Sequence, residues 1–158
     1  MPIEIERKFL VTGDTWKQDV ERRAAFRQGY LAVNAACAIR VRVEGEHARL
    51  NIKQATLDIR RHEYEYEIPA TEAREMLDLL CGSMQVVKTR HYLHYAGHLW
   101  EVDEFHGANA GLVVAEIELD AEDEPFARPP WLGAEVSGDA RYLNSNLAQH
   151  PFSTWRAP

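Results

Sequence analysis

The stretch IEIERKF, residues 3–9, sets Glu4, Glu6 and Lys8 at every second position between Ile3, Ile5, Arg7 and Phe9. Such alternation places successive side chains on opposite faces of a β-strand. One face here is ionic and the other largely apolar. The pattern recurs at 26–33, 38–45, 47–54, 60–69, 86–95, 99–105 and 112–120, which predicts a largely antiparallel sheet. In VEGEH (43–47) and YAGHL (95–99) a glycine sits where a tight reversal needs positive φ, so the flanking strands should pair directly.

Only three stretches show helical spacing. TGDTWKQDVERRA (12–24) puts Trp16, Val20 and Ala24 on one side, and TEAREMLDLLCG (71–82) does the same with Ala73, Met76, Leu77 and Leu80. In the second, Thr71 is the expected N-cap and Gly82 the expected stop. DARYLNSNLAQHP (139–151) carries Tyr142, Leu143 and Leu147 and ends before Pro151. The proline-rich EDEPFARPPWLG (122–133) reads as an irregular connection.

At 158 residues and 46% hydrophobic composition, the chain is long enough to bury a core without disulfides, and one domain spanning 1–158 is expected. A net charge of −7 argues against a basic nucleic-acid footprint, although an acidic shell can enclose a basic cavity. Cys37 and Cys81 lack CxxC spacing and read as reduced packing thiols. No basic region followed by an apolar run opens the chain, and no run approaches the roughly 18 apolar residues of a membrane span. A soluble, cytoplasmic protein without a membrane partner is the expectation.

Sorting each strand by parity collects the charges on one face: Glu4, Glu6 and Lys8, then Arg40 and Arg42, Arg49 to Lys53, Glu63 to Glu67, Lys88 and Arg90, Glu101 and Asp103, and finally Glu116 and Glu118. The opposite face carries Ile3, Ile5, Ile39, Val41, Val43, Leu50, Ile52, Tyr64, Tyr66, Val102, Ala115 and Ile117. A sheet with one solvated side would explain a polar face. It explains less well a face made almost purely of ions, because Glu and Asp are poor strand formers. Signs also segregate, with acids on the first, fifth, seventh and eighth segments and bases on the third, fourth and sixth. Closing the strands into a barrel would turn these rows around one lumen and the apolar rows outward under the helices. An ionic interior needs counter-ions of both signs. Carboxylates suit Mg²⁺ or Mn²⁺, and Arg and Lys suit phosphate oxygens, so a metal-bound polyphosphate satisfies both rows.

Glu4, Glu6 and Lys8 also resemble the ExExK signature of the CYTH superfamily, the triphosphate tunnel metalloenzymes. QGYL (28–31), IRVR (39–42), NIK (51–53), EYEYEI (63–68), VKTRHYL (87–93), WEVDEF (100–105), AEIEL (115–119) and DARYLNSNLA (139–148) extend the similarity over the chain. The resemblance implies an all-β-dominated α+β fold, a closed eight-stranded antiparallel barrel with a charged interior and a few flanking helices. It implies Glu4, Glu6, Glu116 and Glu118 as ligands of Mg²⁺ or Mn²⁺, and Lys8, Arg40, Arg42, Lys53, Lys88 and Arg90 as the triphosphate cradle. Lys8 and Tyr30 resemble a pair near the scissile phosphate, and Glu63, Glu65 and Asp103 are expected to tune the bases, bind a second ion or orient water. The implied activity is metal-dependent hydrolysis of a small-molecule triphosphate, foremost inorganic triphosphate, by a cytoplasmic enzyme that forms a homodimer by analogy. Alternatives are a class IV adenylyl cyclase, a thiamine triphosphatase, or a non-catalytic polyphosphate or nucleotide binder. His91, His94 and His98 read as surface or packing residues, and Tyr64, Tyr66, Trp16 and Trp100 as exterior packing under the helices.

Overall fold

The alternating segments become strands in the structure, a computed structural model that describes residues 2–155. Met1 and residues 156–158 of the expected domain lie outside the described residues. The strands are β1 (Ile3–Val11), β2 (Arg22–Val33), β3 (Cys37–Glu44), β4 (His47–Gln54), β5 (Arg60–Ile68), β6 (Gln85–Tyr95), β7 (His98–Phe105), β8 (Val113–Glu118) and β9 (Leu132–Glu135). Two α-helices, α1 (Ala70–Leu79) and α2 (Asn144–Gln149), complete the regular elements. All pairings are antiparallel, in the order β5-β4-β3-β2-β6-β7-β8-β1. Pairing of Ile3–Ile5 with Arg60–His62 joins β1 to β5 and closes an eight-stranded barrel. The short β9 was not anticipated; it pairs with Phe9 and Val11 of β1, beyond the stretch that meets β5. Both expected hairpins are present, with Gly45 at φ +59°, Ala96 at +48° and Gly97 at +85°.

Parity divides the barrel as expected, with one exception that matters. Outside, Ile5, Phe9, Leu93, Trp100, Val102, Ala115 and Ile117 form one buried cluster beneath Trp16 and Trp131. A second outer cluster joins Val41, Val43 and Ala48 to Ala73, Leu77 and Cys81 of the α1 segment. The third lies at one end of the lumen: Val86, Phe105 and Val114 share the parity of the charged rows yet pack with Tyr142 and Leu147, and Leu10 joins them. The segment 139–151 therefore plugs a barrel end instead of covering the outer wall. Its expected single helix is broken into a 3₁₀ turn at Ala140–Tyr142 and the short α2, with Leu143 extended between them.

Other expectations need correction. The helix expected at 12–24 is only a 3₁₀ turn at Thr15–Asp19. Arg22–Ala25 pair instead with Thr89–Tyr92 and lengthen β2; ladder bonds outweigh the weak local periodicity. Pro69, not Thr71, caps α1, and its carbonyl accepts the first helical bond from the Ala73 amide at 3.0 Å. Leu80 is exposed because α1 ends before it, while Gly82, at φ +54°, does end the turn. Trp16 and Trp100 are buried, but Tyr64 and Tyr66 are exposed on the outer face of β5, although Ile68 of the same face packs against the α1 cluster.

Gly29 of β2 has a steric reason to be glycine. A Cβ there would stand 2.8 Å from Leu77 Cδ2 and 2.9 Å from both Cβ and Sγ of Cys81. Gly29→Ala should push α1 off the wall and cost about 1–3 kcal/mol by overpacking. Urea unfolding measures this, and an unchanged midpoint would mean that α1 yields without cost.

Candidate active site

Strand order converts the alternating rows into two continuous arcs. Around the bore, β7, β8, β1 and β5 are neighbours and carry Glu101, Asp103, Glu116, Glu118, Glu4, Glu6, Glu63 and Glu65. Across from them β4, β3, β2 and β6 bring Arg49, Lys53, Arg40, Arg42, Lys88 and Arg90, with uncharged Phe26, Gln28 and Tyr30 on β2. The lumen is a cavity of about 650 Å³, and its lining includes every residue expected for the site except Asp103. Lys8 is a base within the acidic arc, 3.9 Å from Glu116, and Arg61 of β5 is another.

Where the arcs meet, opposite charges pair. At the β4–β5 seam Lys53 Nζ lies 3.0 Å from Glu63 and 3.2 Å from Glu4, and Asn51 donates to Glu65 at 2.6 Å. At the β6–β7 seam Asp103 accepts from Arg90 Nε and Nη2 at 2.8 and 2.9 Å and from Lys88 Nζ at 2.7 Å. Asp103 is fully buried behind these two bases and off the cavity surface, so a direct role toward water or a second ion is corrected to one of holding Arg90 and Lys88.

Away from the seams the pairs are longer or missing. Arg40 is buried, its Nε has no hydrogen-bond partner, and it makes no ion pair within 4.0 Å among the described residues. Arg42 meets only Glu65, at 3.9 Å, and stacks 4.7 Å from the Phe26 ring centroid. Burial first, then Arg40 and Arg90, push the Arg42 guanidinium down to about 10. Burial likewise brings the Lys88 ammonium down to about 8 although Asp103 opposes it. In contrast Lys53 is held above the ordinary lysine value, because Glu4, Glu6 and Glu63 together outweigh its burial. The middle of the basic arc is therefore short of negative charge.

The acidic arc has the complementary defect. Burial, then the charges of Glu116 and Glu4, raise Glu6 well above the usual carboxylate range, while Glu116 is held far below it because Lys8 and Arg90 outweigh its burial. The two are neighbours whose shifts run in opposite directions. Glu4, raised by burial, and Glu63, lowered by Lys53 against its own burial, form a second such pair. Glu118 is also raised, by burial and then Glu4. Among the described residues no three His, Cys, Asp or Glu side chains form a ready-made metal cage. A wall so rich in crowded carboxylates nevertheless fits a hard divalent ion, which commonly takes one or two carboxylates and completes its shell with water and phosphate.

The expected histidines lie elsewhere. His91, His94 and His98 pair with Glu104, Glu21 and Glu124 at 3.2, 2.7 and 2.7 Å, and none lines the cavity. Arg49, Arg61 and Glu101 do line it without having been assigned roles, and so do Ser137, Tyr142, Asn144 and Ser145 of the plug. Parity alone could have added Arg49, Glu101 and Arg61. No local pattern points to Asn144.

A closed antiparallel barrel with facing acidic and basic arcs defines a tunnel-type protein. The chain belongs to the CYTH family: the family model for the CYTH domain matches residues 2–150. An inorganic triphosphatase of Acetivibrio thermocellus is 46% identical over 153 residues, 97% of each chain. One of Nitrosomonas europaea is 37% identical over 149 residues, 92% of this chain and 96% of its own. The crystal structure of an inorganic triphosphatase superposes with a TM-score of 0.67 at 34% identity, covering 92% of this chain and 93% of the other.

Raised folded-state values at Glu4, Glu6 and Glu118 mean stability that is present at low pH and lost as pH rises through those values. A bound divalent cation removes that loss. Thermal unfolding with and without Mn²⁺ should therefore show a stabilisation that grows as pH rises above the ordinary carboxylate range. A shift independent of pH would place the ion away from these carboxylates.

Proposed function

We propose that this protein is a divalent-metal-dependent phosphohydrolase that cleaves inorganic triphosphate to diphosphate and orthophosphate. The observation that carries the reading is Arg40, buried at the centre of the basic arc with no ion pair within 4.0 Å among the described residues, and Arg42 beside it with its nearest carboxylate at 3.9 Å, opposite a row of crowded carboxylates. A ligand that joins a polyanion to a cation relieves both. The names of the two relatives support inorganic triphosphate over larger triphosphates.

In this reading Arg40 and Arg42 grip phosphate oxygens through their forks, while Lys53, Lys88 and Arg90 flank them as point charges or forks. Lys8 and Tyr30 stand near the scissile phosphate. Glu4, Glu6, Glu116 and Glu118 would hold a divalent ion, which when bound supplies neutralisation of phosphate charge and orientation of water. Glu63, kept ionised by Lys53 against its burial, accepts a hydrogen bond from the attacking water, with Glu65 beside it on the same wall. Attack on the terminal phosphorus breaks the anhydride P–O bond and releases diphosphate, whose charge the basic arc accepts without a covalent enzyme intermediate. Asp103 positions Arg90 and Lys88 from behind.

Among the described residues no helix is long and apolar enough to cross a membrane, and a cytoplasmic setting is proposed with this reading. A homodimer and no nucleic-acid partner are proposed with it, and sedimentation at monomer mass would contradict the dimer.

Pure protein given tripolyphosphate with Mg²⁺ or Mn²⁺ should release orthophosphate, whereas ATP should yield no cyclic AMP. Glu6→Gln should lower turnover about 100-fold or more, and Arg40→Ala should lower kcat/KM by a similar factor. Full turnover by Glu6→Gln, or cyclic AMP as the main product, would contradict the assignment.

A further inference from the structure

The plug does more than close a barrel end, because it presents two acceptors to two lysines of the bore. The Tyr142 carbonyl accepts from Lys8 Nζ at 3.1 Å. Asn144 Oδ1, at the start of α2, accepts from Lys88 Nζ at 3.1 Å and from Gln28 Nε2 at 2.9 Å. Lys88 and Gln28 are 1% and 0% exposed.

We infer that Asn144 is a positioning residue, which fixes the Lys88 ammonium against Asp103 so that the remaining N–H of Lys88 is aimed at bound phosphate. The inference rests on the function proposed above. A lysine ammonium has three donors and no acceptor, so the group it meets on Asn144 must be the amide oxygen. That orientation in turn makes Gln28 offer its amide nitrogen. Gln28 Oε1 is consequently buried without a partner, a defect that the pairing with Asn144 imposes. Asp103 takes one Lys88 donor and Asn144 the second. Two bonds, one to β7 and one to the plug, hold the tip of an otherwise flexible stem.

The other groups facing Lys88 do not replace this contact. Phe105 and Phe26 stand 5.5 and 6.0 Å from its nitrogen. Arg90 on the same strand repels it, and Glu116 on β8 attracts it without a hydrogen bond. Asn144 is thus the neutral acceptor that sets direction while Asp103 supplies charge.

The test compares Asn144→Ala, Asn144→Asp and Leu147→Ala. Leu147 is a buried apolar residue of the same plug and touches the plug's packing, not the lysine. Lys88 is followed by ¹³Cε NMR in substrate-free protein, assigned with Lys88→Arg, alongside steady-state hydrolysis of tripolyphosphate. Asn144→Ala should move the Lys88 titration midpoint down by about one pH unit and lower kcat about 10- to 100-fold with a smaller change in KM. Asn144→Asp, which keeps the acceptor, should restore kcat and move the midpoint up. Leu147→Ala should lower the melting temperature and leave the midpoint in place. The inference is overturned if Asn144→Ala leaves the midpoint unmoved, if folded Asn144→Asp is as impaired as Asn144→Ala, or if Leu147→Ala moves the midpoint equally. Absence of hydrolysis in the unaltered protein would instead defeat the proposed function, and the NMR comparison would still decide the role of Asn144.

Discussion

The structure depends on keeping like charges together inside a closed wall. Burying ions is costly unless each is paired, and pairing every acid with a neighbouring base is the ordinary solution. This barrel adopts that solution most closely at its two seams, Lys53 with Glu4 and Glu63, and Arg90 and Lys88 with Asp103, whereas Lys8 and Arg90 reach Glu116 only at 3.9 and 3.8 Å. Between the seams, four adjacent strands leave carboxylates facing carboxylates and three of the opposite four leave bases facing bases. The seam pairs tie the two arcs together, and the residual imbalance is what a metal-bound polyanion can satisfy.

Apolar packing carries the cost of that arrangement. The outer wall is covered by α1 on one side and by the Trp16, Phe126 and Trp131 segments on the other. Edge-to-face contacts join Phe9, Trp100 and Trp131 at 5.6–5.8 Å between centroids. At one end the lumen itself turns apolar, and the plug seals it with Tyr142 and Leu147. The charged bore is therefore bounded by hydrophobic contacts on its walls and its floor, and Asp103 and Gln28 are fully buried.

Parity within each strand was readable because a one-residue slip would turn a whole charged row into the core. That is why Glu4, Glu6, Arg40, Arg42, Lys88, Arg90, Glu116 and Glu118 all line the cavity as the alternation predicted. Strand order was not readable from local pattern, and it is the order that gathers the acids of β7, β8, β1 and β5 into one arc. Asp103 has the right parity but lies behind its partners, a depth that alternation does not encode. Arg22–Ala25 looked helical because Trp16, Val20 and Ala24 have helical spacing, yet pairing with β6 decided their state. Asn144 was invisible for another reason: its contacts are with Gln28 and Lys88, which are 116 and 56 residues away in the chain.

The central claim is that the segregated arcs form a single site for a cation and a polyanion inside the bore. Diffraction from crystals grown with Mn²⁺ and a non-hydrolysable triphosphate analogue tests it directly. An anomalous manganese peak against Glu4, Glu6, Glu116 or Glu118, with phosphate density reaching Arg40 and Arg42, is the expected result. Manganese and analogue bound on the outer wall, or at separate places with the bore holding only water, would contradict it.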